Sequence, residues 1–472
     1  MKLIKLAALA LTLVMTAGTT GCSYQPAGTT IVPAPAMSLT GTEASGETQQ
    51  TTVPAATETS PETYAEKPAA EVSDAEDGKL VIWSYDPGFK KILEQYSPVK
   101  NYEYVEIAPG DYKRRLDDAF SAGKAPDMFF CGFDNVREFA DSDRTLPIND
   151  IGISNKSCEA MFDYTLRLAC DSSGNIKGLS WDLAPSAVFY QRTLAQQYLG
   201  SSDPETVSKS FSSWDSFLTT ARKINKDSEG NVKIVSGTDE IFRSYMGNRS
   251  SAWKTDGKLN IDASAETYFE YAKTIESEKL TFGASRNSDE WKDGMRNKTV
   301  LSYWGPLSLA RSADFALDPA YVTKAISTSG EWGIVQAPEA FAWGGTWIMV
   351  SSTSDMKKSC AEIINAICCD QDNLKDMLVS GKCDFVNSRT VISSAAADER
   401  YKFAWLGNQN PYAVLAPEAG RINVNSVGSD DTRINNVFRS VADIYVKGGF
   451  KTVKDAKATF REILIEKRIV RE

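Results

Sequence analysis

The chain has 472 residues, a net charge of −10 and no histidine. That excludes Ser-His-Asp and Cys-His nucleophilic arrangements and any imidazole metal site. Its eight cysteines include no C-x-x-C pair, so a zinc pattern is missing too.

The chain opens on Met1-Lys-Leu-Ile-Lys5, followed by the apolar run Leu6 to Met15, small residues from Thr16 to Gly21, and Cys22. A short positive start, about ten apolar residues and small residues before a cut make an export signal. The run is too short to span a membrane comfortably. Cys22 directly after Thr-Thr-Gly reads as a bacterial lipobox whose thiol is acylated, although Thr19 stands where Leu is usual. The plainer alternative is a secretory signal with an incidental cysteine. The expected location is the extracellular face of the bacterial cell membrane, held by lipid on Cys22.

Residues 23–78 are rich in Thr, Ala, Pro, Glu and Ser, with nine acidic side chains and one basic. Such a segment cannot bury enough apolar surface to offset its ordering entropy, and it reads as a disordered tether. Most of the chain's negative charge lies there. The remainder is nearly balanced, which argues against a nucleic-acid partner. Roughly 390 residues follow, more than one core usually serves, so two lobes are expected.

The folded part alternates strand and helix. Lys79 to Ser84 predicts a strand, Phe89 to Tyr96 a helix, Tyr104 to Ile107 a second strand and Asp111 to Ser121 a second helix, with Met128 to Cys131 a third strand. This pattern predicts an α/β fold with mainly parallel sheets covered on both faces. Ligands bind outside the carboxyl ends of such strands. Those ends carry Trp83-Ser-Tyr-Asp86, Ala108-Pro-Gly-Asp111 and Gly132-Phe-Asp134. The cysteines other than Cys22 read as buried thiols, with a disulfide from Cys383 to Cys368 or Cys369 as the minor alternative. Asn225-x-Asp227-x-Glu229-Gly230 begins like a calcium loop, but Ser236 stands where its closing Glu is needed. It reads as a surface turn, and no metal or cofactor is expected.

Several stretches in order carry a family resemblance. They are Leu80 to Asp86, Ala125-Pro-Asp-Met-Phe129, Asn175 to Trp181, Val188 to Arg192, Trp214 to Phe217, Phe341-Ala-Trp-Gly-Gly-Thr-Trp347 and Leu406 to Asn410. The chain resembles the extracellular solute-binding lipoproteins of carbohydrate ABC transporters, of the maltose type, from Lys79 to Arg468. The resemblance implies a two-lobed periplasmic-binding-protein fold with three crossings, near 182–188, near 344–349 and after Phe385. Lobe 1 would comprise 79–184 and 344–387. Lobe 2 would comprise 185–343 and the C-terminal helices of 388–472. A monomer would close on a carbohydrate by a hinge and present it to the membrane permease, without catalysis of its own.

The cleft chemistry can also be argued from the residues. A sugar ring has an apolar face that aromatic rings cover, and a hydroxyl rim that Asp, Asn, Gln and Arg bond. Trp83, Trp181, Trp343 and Trp347 are the expected stacking residues, although core packing is the plain alternative for each. Asp86, Asp134, Asp239, Arg243 and Asn410 are the expected rim. Asp239 and Arg243 are four apart on one helix face, where a solvated ion pair is the plain alternative. A lipid-anchored glycoside hydrolase would need two flanking carboxylates, and no sequence feature selects a pair. A polyamine site would need several carboxylates with aromatics. The expected mixture of amides and Arg favours a sugar instead. Without histidine, binding should be flat from pH 5 to 8 unless burial strongly shifts a cleft carboxylate.

Overall fold

The computed structural model describes residues 67–76, 78–311 and 330–472. The export signal, Cys22 and most of the expected tether lie outside the described residues. Strand β1 (Leu80–Ser84) buries Leu80, Ile82 and Ser84 and leaves Val81 and Trp83 half-buried, the period of two expected of a strand. It is followed by α1 (Phe89–Tyr96), β2 (Tyr102–Glu106), α2 (Pro109–Ser121), β3 (Met128–Gly132) and α3 (Asp163–Leu168). Strands β2 and β3 flank β1 in parallel, as the strand–helix alternation predicts.

The 14-residue β4 (Gly178–Gln191) leads into a second set of elements: α4 (Trp214–Asp227), α5 (Asp239–Gly247), α6 (Ala263–Ser277), β5 (Ser302–Gly305) and β6 (Trp332–Val335). The chain returns along β7 (Phe341–Val350). The sheet order is β2-β1-β3-β7-β4-β5, with β6 also on β4. Here the pairing departs from the parallel expectation, since β7 runs antiparallel to both β3 and β4, and β5 and β6 run antiparallel to β4. The reason is that β4 leaves the first lobe and β7 returns to it, so the two crossing strands must oppose each other. Their register slips between Ser180 and Asp182 and between Ala184 and Pro185, the latter at a residue with no N–H to pair.

The segment from Phe385 to Asn387 lies beside β4. Leu183 N–H donates to Phe385 O at 2.8 Å and Asn387 N–H to Trp181 O at 3.0 Å. The buried Asn387 side chain accepts from Phe162 N–H and donates to Thr165 Oγ1 and Ser180 O. One apolar cluster joins Leu80, Ile82, Phe129, Trp181 and Trp347. A second holds Val188, Tyr190, Phe217, Ile234 and Trp304. A third packs α6 against α10 (Asp431–Val446) and α11 (Val453–Glu466) through Phe269, Phe438 and Phe460.

Two boundaries differ from expectation. After α7 (Lys357–Ile364), helices α8 (Arg389–Ala397) and α9 (Pro411–Arg421) bury Ile392, Tyr412 and Leu415 in the first cluster, not among the helices of the second lobe. Of residues 388–472, it is α10 and α11 that pack on α6. The tether also ends early. Ala70 N–H donates to Asn149 O, and Asp74 accepts from Ser359 N–H at 3.1 Å and Ser359 Oγ at 2.6 Å. Ser359 lies in the first turn of α7, where unsatisfied N–H groups and the helix dipole favour a carboxylate. Residues 67–76 therefore dock on the first lobe. All seven described cysteines are free, so the Cys383 disulfide alternative is not formed.

Candidate functional site

The crossing strands form the floor of a cleft. Asp182 lies opposite Thr346, Leu183 opposite Gly345 and Ala184 opposite Gly344. Along β7 the stretch from Trp343 to Thr346 is half-buried between fully buried flanks. Gly345 has φ +124°, and a Cβ there would stand 3.2 Å from the Trp347 ring. Glycine at this place keeps the floor bare.

Acidic and phenolic groups line the first-lobe wall. Tyr85 follows β1, packs edge-on to Tyr112 at 4.9 Å and bonds the Thr346 side chain. Burial holds its phenol above the usual value, the Thr346 bond opposing. Asp86 Oδ1 accepts from Gly88 N–H at 2.7 Å, and its carbonyl accepts from Tyr104 Oη at 3.0 Å. Burial raises the Asp86 carboxyl above its ordinary range; the Gly88 bond opposes this and the Glu106 charge adds to it. Burial pushes Asp182 well above its ordinary value, and the charges of Asp384 and Asp86 push further. Tyr164 on α3 lies in the field of Asp182, and its buried hydroxyl has no partner among the described residues.

The second-lobe wall is basic and aromatic. Glu240 on α5 is buried and accepts from Arg286 Nη1 at 3.1 Å, from Trp304 N–H at 2.8 Å and from Trp291 Nε1. Burial raises the Glu240 carboxyl, against the pull of Arg286. Arg286 also donates to Trp304 O, and its guanidinium lies 3.8 Å from the Trp343 ring centre. Arg243 lies 5.3 Å from the same ring and grips Asp134 with both ends of its fork, at 3.1 and 3.0 Å. Thr432 Oγ1 donates to Asp134 O at 2.6 Å. The rims of the lobes therefore touch at Asp134.

The expected site residues divide. Asp86, Asp134, Arg243 and Trp343 lie on the cleft walls or rim. Trp181 and Trp347 do not: both are buried, Trp181 against Phe89 and Phe130, and Trp347 with its Nε1 donating to Thr165 O. Trp83 points off the strand's face, 5.7 Å from the Arg115 guanidinium on α2, and not off the strand's end. Asp239 pairs with Arg439 and not with Arg243, because Arg243 is drawn across to Asp134. Asn410 caps α9, accepting from Tyr412 N–H and donating to Ala395 O. Asparagine before Pro at the first helical position is an N-cap signal, and it could have revealed that role. Tyr85, Tyr164, Asp182, Glu240 and Arg286 were missed, since only long-range packing brings them to the cleft.

No curated protein matches the chain. Among solved structures, an extracellular solute-binding protein of family 1 has a TM-score of 0.70 at 16% identity, over 83% of this chain and 99% of that one. The sugar-binding protein MalE of Xanthomonas citri has a TM-score of 0.64 at 16% identity, over 83% and 98%. A cyclo/maltodextrin-binding protein complexed with maltotetraose has 0.59 at 16% identity, over 83% and 99%. These likenesses establish the periplasmic-binding-protein-like fold. The sequence itself matches the bacterial extracellular solute-binding protein family over residues 90–405, and the chain belongs to that family.

Proposed function

We propose that the protein captures a sugar or oligosaccharide between its lobes and delivers it to the permease of an ABC transporter. It does so from the extracellular face of the cell membrane, anchored through lipid on Cys22. The family is one of non-catalytic binders, which removes the hydrolase alternative. The observation that carries the sugar reading is Trp343, half-buried at the edge of the floor, with its ring held by Arg286 at 3.8 Å. An aromatic face beside hydrogen-bonding side chains matches a sugar's apolar face and hydroxyl rim. The hinge is supported by three adjacent crossings and by a rim closed by Asp134, Arg243 and Thr432. Calorimetry of the processed protein against an oligosaccharide panel tests the reading. Heat from at least one saccharide, with a smaller radius of gyration in solution scattering, is expected. Silence across the panel would remove it. Membrane fractionation of Cys22→Ser tests the anchor: release to the medium or stalled processing is expected, and unchanged membrane fractionation would remove it.

A further inference from the structure

The amides that favoured a neutral ligand are not in the cleft. Asn410 is spent on its helix cap, and Gln409 is spent on Arg192 and on both backbone groups of Ile334. What the first-lobe wall offers is carboxylate. We infer that Asp182 and Asp86, with the Tyr164 hydroxyl, hold a protonated amine, so that the ligand is an amino sugar; this rests on the saccharide reading of the same cleft.

The geometry supports a cationic group in three ways. First, Asp182 bridges to Val386, which places Asp384 diagonally beside it on the same face, about 7–8 Å away in such a ladder. Asp86 lies within the electrostatic field of Asp182, and the thiol of Cys383 lies within the field of all three. Carboxylates in one another's field repel, and a ligand cation relieves them. Second, no described Lys or Arg bonds Asp86 or Asp182, and closing the cleft brings none. Arg286 is engaged by Glu240, Arg243 by Asp134 and Arg439 by Asp239. Third, Tyr164 is 2% exposed and its hydroxyl has no partner among the described residues. A hydroxyl can accept an N–H, and an ammonium carries three donors for two carboxylates and one phenol. A metal ion fits less well, because no three acidic or cysteine side chains among the described residues stand close enough to hold one.

The test is calorimetry with glucosamine and galactosamine disaccharides, their N-acetylated forms, and spermidine, on the wild type and on Asp182→Asn and Asp86→Asn. The free-amine disaccharide should bind at least about tenfold tighter than its N-acetylated form. Asp182→Asn should erase the difference. The wild-type comparison stands even if a variant fails to fold. Equal binding of amine and N-acetyl forms, unchanged in Asp182→Asn, overturns the inference and leaves the sugar reading intact. Spermidine binding alone, lost in Asp182→Asn, overturns both the sugar reading and the amino-sugar inference. No binding by any amine overturns the inference.

Discussion

The two walls of the cleft treat charge in opposite ways. On the second lobe three charges at the cleft have protein partners: Glu240 with Arg286, Asp239 with Arg439, and Arg243 with Asp134 across the gap. On the first lobe Asp86 and Asp182 are pushed above their ordinary range by burial and by neighbouring carboxylates, with no cation among the described residues bonded to either. Paired charges hold a scaffold in one geometry. Carboxylates left without a counter-charge raise the energy of the empty site, and a ligand can lower it. On the proposed reading, the difference separates residues that build the cleft from residues that read its contents.

Four changes would break or sharpen that contrast. The largest effect is expected from Glu240→Ala, which strands the Arg286 guanidinium in a buried site. A loss of about 3–5 kcal/mol is expected, read by urea unfolding. A loss under about 1 kcal/mol would mean that Glu240 is not scaffolding. Next comes Glu418 on α9, a carboxyl outside the cleft that burial raises to about 7, against the pull of Arg421. The folded protein keeps a proton that the unfolded chain releases near pH 4. Stability is therefore present at acid pH and lost as pH rises from about 4 through about 7, by about 3 kcal/mol. Glu418→Gln should flatten that slope in melts across pH, and an unchanged slope would refute the assignment. Trp343→Ala should cost about 1–3 kcal/mol of sugar affinity with little change in melting temperature. A fall in melting temperature with affinity kept would make Trp343 part of the scaffold. The smallest effect belongs to Asp134→Ala, whose ion pair is partly exposed. It should shift the open–closed balance by no more than about 1 kcal/mol, less at high salt. Scattering of the unliganded variant should show a larger radius, and an identical profile would deny the pair a latching role.

The first three strands were legible because short runs rich in apolar and aromatic residues, alternating in β1 and continuous in β3, leave few alternatives. The stretches Asp182 to Val188 and Gly344 to Met349, expected as crossings, fall within the paired strands β4 and β7. The fate of individual tryptophans was not. Trp343 and Trp347 stand four residues apart on one strand, yet one is half-buried and the other fully buried, because Gly344, Gly345 and a slipped register against β4 lie between them. Asp182 was read only as part of a crossing, since its carboxylate neighbours are distant in sequence. The Arg243–Asp134 pair spans 109 residues and opposes a local i,i+4 rule that favoured Asp239. The flat pH profile expected of a chain without histidine had one exception, a buried cleft carboxylate, and Asp182 supplies it.

The docking of residues 67–76 has a mechanical consequence. Asp74 is fastened to the start of α7, and α7 is built into the first lobe through Cys360, Ile363 and Ile364. Any restraint on the chain upstream is therefore felt by the first lobe. In the proposed hinge closure that lobe stands still, and the second swings on β4 and β7. In that proposed closure a permease would meet Arg243 and Thr432 approaching Asp134, with Asp134 itself standing still.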